Sequence, residues 1–216
     1  MRVIAVPVKS LERAKGRLSG VLSPLERAAL TLAMLEDVLD SCLAQPGWHT
    51  WVISPDEAVL EVSARRRARP VVEDQPGLLA AVHQIEQTAA GADALAVVLG
   101  DLPLLSSDAL GRLLQTIGPV VAAPSASDGG TNVLLRRPPD VIQARFGTRS
   151  FRKHRDAAEF RGIPFAQVAA PELAYDLDRP QDVPEVLARG GRRRTRAICL
   201  EMGLAERLTV LAESGS

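Results

Sequence analysis

Three short stretches hold the residues best suited to chemistry on charged substrates. "VKSLERAKGRL" (8–18) carries Lys9, Arg13, Lys15 and Arg17, four cations within nine residues, with Gly16 inside the run. "VVLGDLPLL" (97–105) sets a lone carboxylate, Asp101, directly after an apolar run, and "YDLD" (175–178) spaces Asp176 and Asp178 two residues apart. A cationic loop with glycines can wrap a polyphosphate through charge and backbone N–H groups. A carboxylate at a strand end can supply the hard oxygen that Mg²⁺ takes, with water and substrate phosphate filling its other positions. In extended backbone Asp176 and Asp178 point to one side, where their charges repel unless a cation lies between them. Each stretch also has a plain reading: an exposed basic loop, a loop or capping acid, and a turn into "RPQDV" with Asp182 facing solvent. Singly, the stretches leave both readings open.

Two glycine-bearing turns add to the inventory. In "DGGTN" (128–132), Gly129 and Gly130 can bring backbone N–H groups close to a ligand, while Thr131 and Asn132 offer side-chain donors. In "FGTRSF" (146–151), Gly147 opens the backbone and Ser150 caps a following helix, whose N-terminus favours phosphate or carboxylate. A hairpin turn and an ordinary N-cap are the competing readings. His49, His83 and His154 show no metal-ligand spacing. There is no Walker A loop, no G-x-S-x-G elbow and no Cys/His nucleophile pairing. Rich in phosphate and metal ligands and poor in covalent catalysts, this inventory suits phosphoryl or nucleotidyl transfer, which needs positioning and charge neutralisation.

Strands and helices must hold these stretches in place. Apolar runs at 2–8, 50–54, 69–73, 94–100 and 119–124 read as strands. Between them lie helical patterns, the strongest opening at Ser23 with Pro24 in the first turn, Glu26 completing a capping box, and apolar residues at a 3.6 period to Cys42. Weaker helices are read over about 56–67, 77–90 and 106–117. The alternation predicts an α/β fold, a mainly parallel sheet with helices on both faces and ligands outside the carboxyl ends of its strands. After Pro124 the rhythm changes. A strand is expected at 132–136, a helix from Ser150, a strand at 163–169, a short helix after "YDLDRPQD", and an amphipathic stretch over 197–213. One domain over 1–216 is expected, with a nucleotide-binding half to about 124, an acceptor-binding half over 125–189 and a C-terminal extension from 190.

Composition narrows the class. Apolar residues make up 46 % of the chain and aromatics only 3 %, so Leu, Val and Ala must build the core. Basic and acidic residues balance at 26 each, which gives no global field for nucleic acid or a membrane surface. The Arg-rich runs at 65–69 and 192–196 read as solvated faces. Cys42 and Cys199 are too few and too far apart for a disulfide framework or zinc site. No apolar run is long enough to span a membrane and no signal segment opens the chain, so a cytoplasmic location is expected.

Together, "VPVKSLERAKGRLSGVLSPLERAALTLAMLEDVL", "GDLPLL", "GGTNVLL", "FGTRSFRKH" and "LAYDLDRPQDV" resemble, in order over residues 2–188, the phosphoenolpyruvate/2-phospho-L-lactate guanylyltransferases (CofC or FbiD) of deazaflavin coenzyme F-420 biosynthesis. The resemblance implies a Rossmann-like nucleotidyltransferase fold that joins GTP to a small phosphorylated acid with Mg²⁺ and releases pyrophosphate. It implies metal ligation by Asp101, Asp176 and Asp178, acceptor contacts from Thr131, Gly147 and Ser150, and a triphosphate held by Lys9, Lys15 and Arg17. Phosphoenolpyruvate is the preferred acceptor, with 2-phospho-L-lactate and 3-phospho-D-glycerate close to it. A homodimer and a downstream deazaflavin transferase that receives the product complete the expected partners. A nucleotidyltransferase with a molybdopterin or sugar phosphate acceptor, or a non-catalytic nucleotide-binding module, are the alternatives. The chain departs from the family at Leu79, where "GLN" is common, which implies the loss of a polar contact near the nucleotide.

Overall fold

In the computed structural model, which describes the backbone of residues 1–214 and the side chains of 1–210, Val3 to Val6 and Ala94 to Val98 are buried at every position. Strands without a polar face must be covered on both sides. These are β1 (Arg2–Pro7) and β4 (Ala94–Val98), the middle of a seven-stranded sheet. With β2 (His49–Ser54), β3 (Arg69–Val72), β5 (Val120–Pro124), β6 (Thr131–Arg136) and β7 (Phe165–Gln167) the order is β3-β2-β1-β4-β6-β5-β7. All pairings are parallel except those of β6, which runs antiparallel to β4 and β5. The mainly parallel α/β fold expected from the alternation is the one observed.

Helices form a layer on each face. On one, α1 (Pro24–Leu43), α2 (Glu57–Arg65) and α4 (Ser107–Gln115) pack Leu35, Val38, Leu39, Cys42, Val59 and Leu110 against Ile4, Val6, Val98 and Val133. On the other, α3 (Leu78–Thr88) and α5 (Ser150–Phe160) pack Val82, Ile85 and Ala158 against Val3, Ala5, Val97 and Leu134. The Ser23 capping box is present as read, with Ser23 and Glu26 exchanging bonds at the start of α1. The remaining helices are α6 (Pro171–Ala174), α7 (Val183–Arg189), α8 (Arg194–Glu201) and α9 (Leu204–Ser214). Part of the amphipathic stretch expected over 197–213 lies, for its side chains beyond 210, outside the described residues, as do residues 215–216 of the extension.

The reversed strand β6 matters for the site. Its register sets Val133 opposite Val98, so Thr131 and the "DGGTN" turn arrive at the end of the sheet where β4 finishes. The strand expected at 94–100 stops at Val98, although Leu99 still donates its N–H to the Asn132 carbonyl. Gly100 then passes so close to β1 that a Cβ there would meet Val8 at 3.0 Å. A side chain there would fit only if the Val8 side chain gave way by a few tenths of an ångström.

A third apolar cluster corrects the reading of the C-terminus. Leu18 from the basic loop, Leu30 and Met34 of α1, and Leu177 between the paired acids pack with Val183, Val186, Cys199 and Leu204. Within the Arg-rich run, Arg194 pairs with Glu36 at 2.9 Å and Asp40 at 2.6 Å, and Arg196 donates to the Leu187 carbonyl at 2.8 Å. Buried Asp37 accepts from the N–H groups of Arg194 and Thr195 and from the Thr195 hydroxyl, holding the first turn of α8. The run is therefore docked on α1 rather than left as a solvated face, with the guanidinium stems and the helix start fixing it there. In the run at 65–69, Arg66 pairs with Asp40 and Arg69 lies 4.3 Å over the Trp51 ring, so these too are partly engaged.

Candidate active site

The basic loop leaves β1 at Pro7 and folds into two single 3₁₀ turns, Leu11–Arg13 and Gly16–Leu18. Between them Lys15 adopts a left-handed backbone with φ 52°, which costs energy for a residue with a Cβ. Anchored by buried Ala14 and Leu18, this conformation turns the Lys15 side chain inward. Its side chain is only 5 % exposed, and its ammonium donates to Asp101 at 3.0 Å and Asp178 at 3.2 Å. Arg17, largely in solvent, reaches the other oxygen of Asp178 at 2.8 Å. Lys9 is exposed and close enough for its charge to act on Asp178. The three cations and two of the three acids thus meet at one place, the carboxyl ends of β1 and β4. Arg13 is exposed.

Electrostatics separates the acids. Burial lowers the Lys15 ammonium, but the carboxylates of Asp101 and Asp178 outweigh it and hold the pKa above the usual lysine value. For Asp178, burial raises the carboxyl and the charge of Lys15, aided by Arg17 and Lys9, overcomes it, leaving the group below the usual range. Asp176 goes the other way: burial, and then the charge of Asp101, raise it. Its oxygens face Ser125 at 3.0 Å and Ser127 at 3.2 Å, two hydroxyls that the sequence did not single out. Asp176 and Asp178 therefore do not share one cation in this structure, because Lys15 lies on the Asp178 side. Asp182, expected to face solvent, instead accepts the N–H groups of Asp178 and Arg179 and shapes the "DLDR" turn.

One atom of the cluster is unsatisfied. Asp101 Oδ1 is buried and accepts no hydrogen bond. A buried carboxylate oxygen without a partner is costly. Next to it stands Asp176, itself deprived of a cation. Among the described residues no group of three or more His, Cys, Asp or Glu converges into a ready-made metal cage. What the arrangement does offer is an orphaned hard oxygen of Asp101 beside Asp176. That donor set fits a Mg²⁺-type ion, which takes one or two carboxylates and completes its shell with phosphate oxygens and water.

Across the mouth, the two glycine-bearing turns come together as well. Gly147 has φ 112° and Gly129 φ 71°, backbone conformations that favour glycine. The Gly130 N–H is taken by Asp128 at 2.7 Å, so this donor is not free for a ligand. Asn132 is buried and donates to the Leu173 carbonyl at 3.1 Å, tying β6 to α6. The Ser150 hydroxyl donates to Thr131 at 3.1 Å instead of capping its helix; the residue before α5 is Arg149, with no side-chain cap.

His154, dismissed on spacing, lies at the centre of this side. The Arg145 N–H donates to its Nε2 at 2.8 Å, which leaves the proton on Nδ1. Nδ1 then donates to Thr131 Oγ1 at 3.0 Å. Since Thr131 Oγ1 accepts from both His154 and Ser150, its own proton is free to be donated. Burial, with the nearby charges of Arg136, Arg145 and Lys153, pushes His154 down to about 3, so the ring is neutral at physiological pH. Its signal in the sequence was faint: one histidine on a helix otherwise rich in charge.

Residues 1–210 of the chain match the family described as "Guanylyl transferase CofC like". The chain belongs to this CofC-like guanylyl transferase family. Among its curated relatives are a phosphoenolpyruvate guanylyltransferase of Sphaerobacter thermophilus, 36 % identical over 85 % of this chain and 91 % of the relative. A 3-phospho-D-glycerate guanylyltransferase of Phenylobacterium zucineum is 40 % identical over 86 % and 89 %. A 2-phospho-L-lactate guanylyltransferase of Haloarcula marismortui is 38 % identical over 85 % and 84 %. Among solved structures, a nucleotidyl transferase from Methanothermobacter thermautotroptrophicus superposes with a TM-score of 0.61 at 18 % identity, covering 88 % of this chain and 98 % of that one, a likeness of fold. This CofC-like chain contains, among its described residues, no helix long and apolar enough to cross a membrane.

Proposed function

We propose that the protein transfers the guanylyl group of GTP to the phosphate of a small phosphorylated acid, phosphoenolpyruvate by preference, for deazaflavin coenzyme F-420 biosynthesis. The observation that carries this reading is the cluster at the carboxyl ends of β1 and β4: buried Lys15 bridging Asp101 and Asp178, with Arg17 and Lys9 beside them and the Asp101 oxygen left unpaired. Lys9 and Arg17, exposed at the rim, bind the entering triphosphate. Lys15 keeps the acids compatible before substrate arrives and then adds its charge to the phosphates. Asp101 and Asp176 would hold Mg²⁺, with Asp178 able to join them only when Lys15 and Arg17 turn from its oxygens to the phosphates, and the ion would supply neutralisation of the negative charge on both reacting phosphates.

On the acceptor side, Gly147 and Gly129 allow close backbone approach, and the free proton of the Thr131 hydroxyl is donated to an acceptor oxygen. Ser150 and neutral His154 fix that hydroxyl, while Gly130 and Asn132 hold the turn and strand that carry it. An acceptor phosphate oxygen attacks the α-phosphorus of GTP in line. The new P–O bond forms as the bond to the β-phosphate bridging oxygen breaks, and pyrophosphate leaves with that electron pair. A phosphate monoester is already ionised near neutral pH, so the residues need only bind, align and neutralise.

The acceptors named for the relatives are three small phosphorylated acids, and the phosphoenolpyruvate guanylyltransferases of Sphaerobacter thermophilus and Rubrobacter xylanophilus among them support the preference stated. The test is pyrophosphate release with GTP and Mg²⁺ against phosphoenolpyruvate, 2-phospho-L-lactate and 3-phospho-D-glycerate, with ATP and CTP as controls. Release with GTP, greatest for phosphoenolpyruvate, is expected. No release with any acceptor would refute the enzymatic reading, and equal rates with every nucleotide would refute guanylyl transfer.

A further inference from the structure

The cationic loop is held by two side chains that carry none of the chemistry assigned to it. At its start, Asp56 Oδ2 accepts the Leu11 N–H at 3.0 Å, while Oδ1 caps α2 through the Ala58 N–H. The Asp56 N–H in turn donates to the buried Ser54 hydroxyl at the end of β2. Further along, Arg27 reaches back from the first turn of α1 to the loop that precedes it. Its Nε donates to the Ala14 carbonyl at 3.3 Å and its Nη1 to the Leu22 carbonyl at 3.0 Å. These acceptors flank the second 3₁₀ turn, Gly16–Leu18, so one guanidinium closes the segment that contains Lys15 and Arg17. A rigid fork can hold two acceptors at a fixed spacing, which a single ammonium cannot.

The bond to Ala14 bears directly on Lys15. The Ala14 carbonyl and the Lys15 N–H belong to one planar peptide unit. Ala14 is extended, at φ −70° and ψ 143°, and Lys15 turns to φ 52° and ψ 37° on the far side of that plane. A left-handed backbone at a residue with a Cβ persists only where its surroundings over-determine it. A charge-assisted bond to the plane is one such constraint. It acts between Leu11, pinned by Asp56, and Leu18, buried in the third apolar cluster.

We propose that Arg27 is a positioning residue for the reaction: by bridging Ala14 and Leu22 it sets the left-handed Lys15, and so holds the ammonium between Asp101 and Asp178 where the triphosphate of GTP enters. Arg27 Nε and Nη1 are both taken by backbone carbonyls, so Arg27 acts on the nucleotide through Lys15 and not by contact. Its effect on GTP rests on the guanylyl transfer proposed above, while its hold on Lys15 does not.

The test has two readouts on the full chain. Of the three lysines, Lys9, Lys15 and Lys153, only Lys15 is buried. Labelled with ¹⁵N-lysine, the substrate-free protein should therefore show one slowly exchanging ammonium signal, from Lys15 paired with Asp101 and Asp178. Arg27→Met, which removes both bonds, should erase it. Arg27→Lys, which can hold one carbonyl but not bridge two, should weaken it, and decides the question if Arg27→Met does not fold. In pyrophosphate-release assays with GTP, phosphoenolpyruvate and Mg²⁺, Arg27→Met should raise the KM for GTP about tenfold and leave that for the acceptor within about twofold, with Arg27→Lys between. Arg137→Met, which takes comparable bonds from the Leu114 and Thr116 carbonyls at the end of α4, should lower stability and leave the signal and both KM values in place. A wild type without the signal would overturn the proposal, as would an unchanged signal or GTP KM in the Arg27 variants, or the same losses in Arg137→Met. Absence of pyrophosphate release by the wild type would refute guanylyl transfer alone, because the ammonium signal still decides whether Arg27 positions Lys15.

Discussion

His154 makes stability depend on pH in a way that can be worked out from its surroundings. The ring is completely buried, with Nε2 accepting from the Arg145 N–H and Nδ1 donating to Thr131, and its pKa lies at about 3 against a usual 6.5. In the unfolded chain the imidazole takes a proton below about pH 6.5, whereas the folded form stays neutral until near its own lowered pKa. Stability from this group is therefore fully present above about 6.5 and falls as pH drops toward 3, at a limiting slope of about 1.4 kcal/mol per pH unit. Between pH 7.5 and pH 5 the loss is about 2 kcal/mol. Urea unfolding of the wild type and of His154→Gln, measured at both pH values, isolates the histidine from carboxylates that titrate in the same range. The wild type should lose about 2 kcal/mol more than the variant on acidification. An identical loss in both proteins would refute the neutral, buried assignment, and with it the orientation of the Thr131 hydroxyl deduced from it.

Two further outcomes follow from the same geometry. Asp101→Asn removes the negative charge and turns one of the two carboxylate oxygens into an amide donor; initial-rate assays should show turnover reduced by about 10²-fold or more, while urea unfolding shifts by about 1 kcal/mol or less because the side chain is a third exposed. Near-normal activity would remove Asp101 from the site. Asp37→Ala strips the start of α8 of three hydrogen bonds made by a buried carboxylate, and unfolding should show a loss of about 2–4 kcal/mol; a loss under about 0.5 kcal/mol would mean the C-terminal segment is not docked as described.

What could be read from the sequence was what depends on neighbours along the chain. Apolar runs such as 94–98 and the Ser23–Glu26 box state their structure locally, and β1 to β5 and the principal helices appeared where periodicity placed them. The direction of β6 was also available and unused: only six residues join it to β5, too few for the crossover that a parallel neighbour needs. Contacts between distant segments left no such mark. Lys15 meets partners 86 and 163 residues away, and a basic run alone cannot show which of its cations turns inward. The same limit misjudged Arg194, whose acids Glu36 and Asp40 lie on α1.

The third apolar cluster explains why these long-range contacts belong together. Leu18 follows Lys15 and Arg17, and Leu177 lies between Asp176 and Asp178; both are fully buried against α1 and the C-terminal helices. The cations and the acids are thus anchored to the same small core through their immediate neighbours. A left-handed Lys15 is tolerable only if Ala14 and Leu18 on either side are held, and Leu18 is held by a cluster that the C-terminal segment completes. Docking of that segment on Asp37 and Asp40 is therefore coupled, through Leu18, to the position of the Lys15 ammonium. The Arg-rich run thus helps to fix the floor on which the charged residues stand.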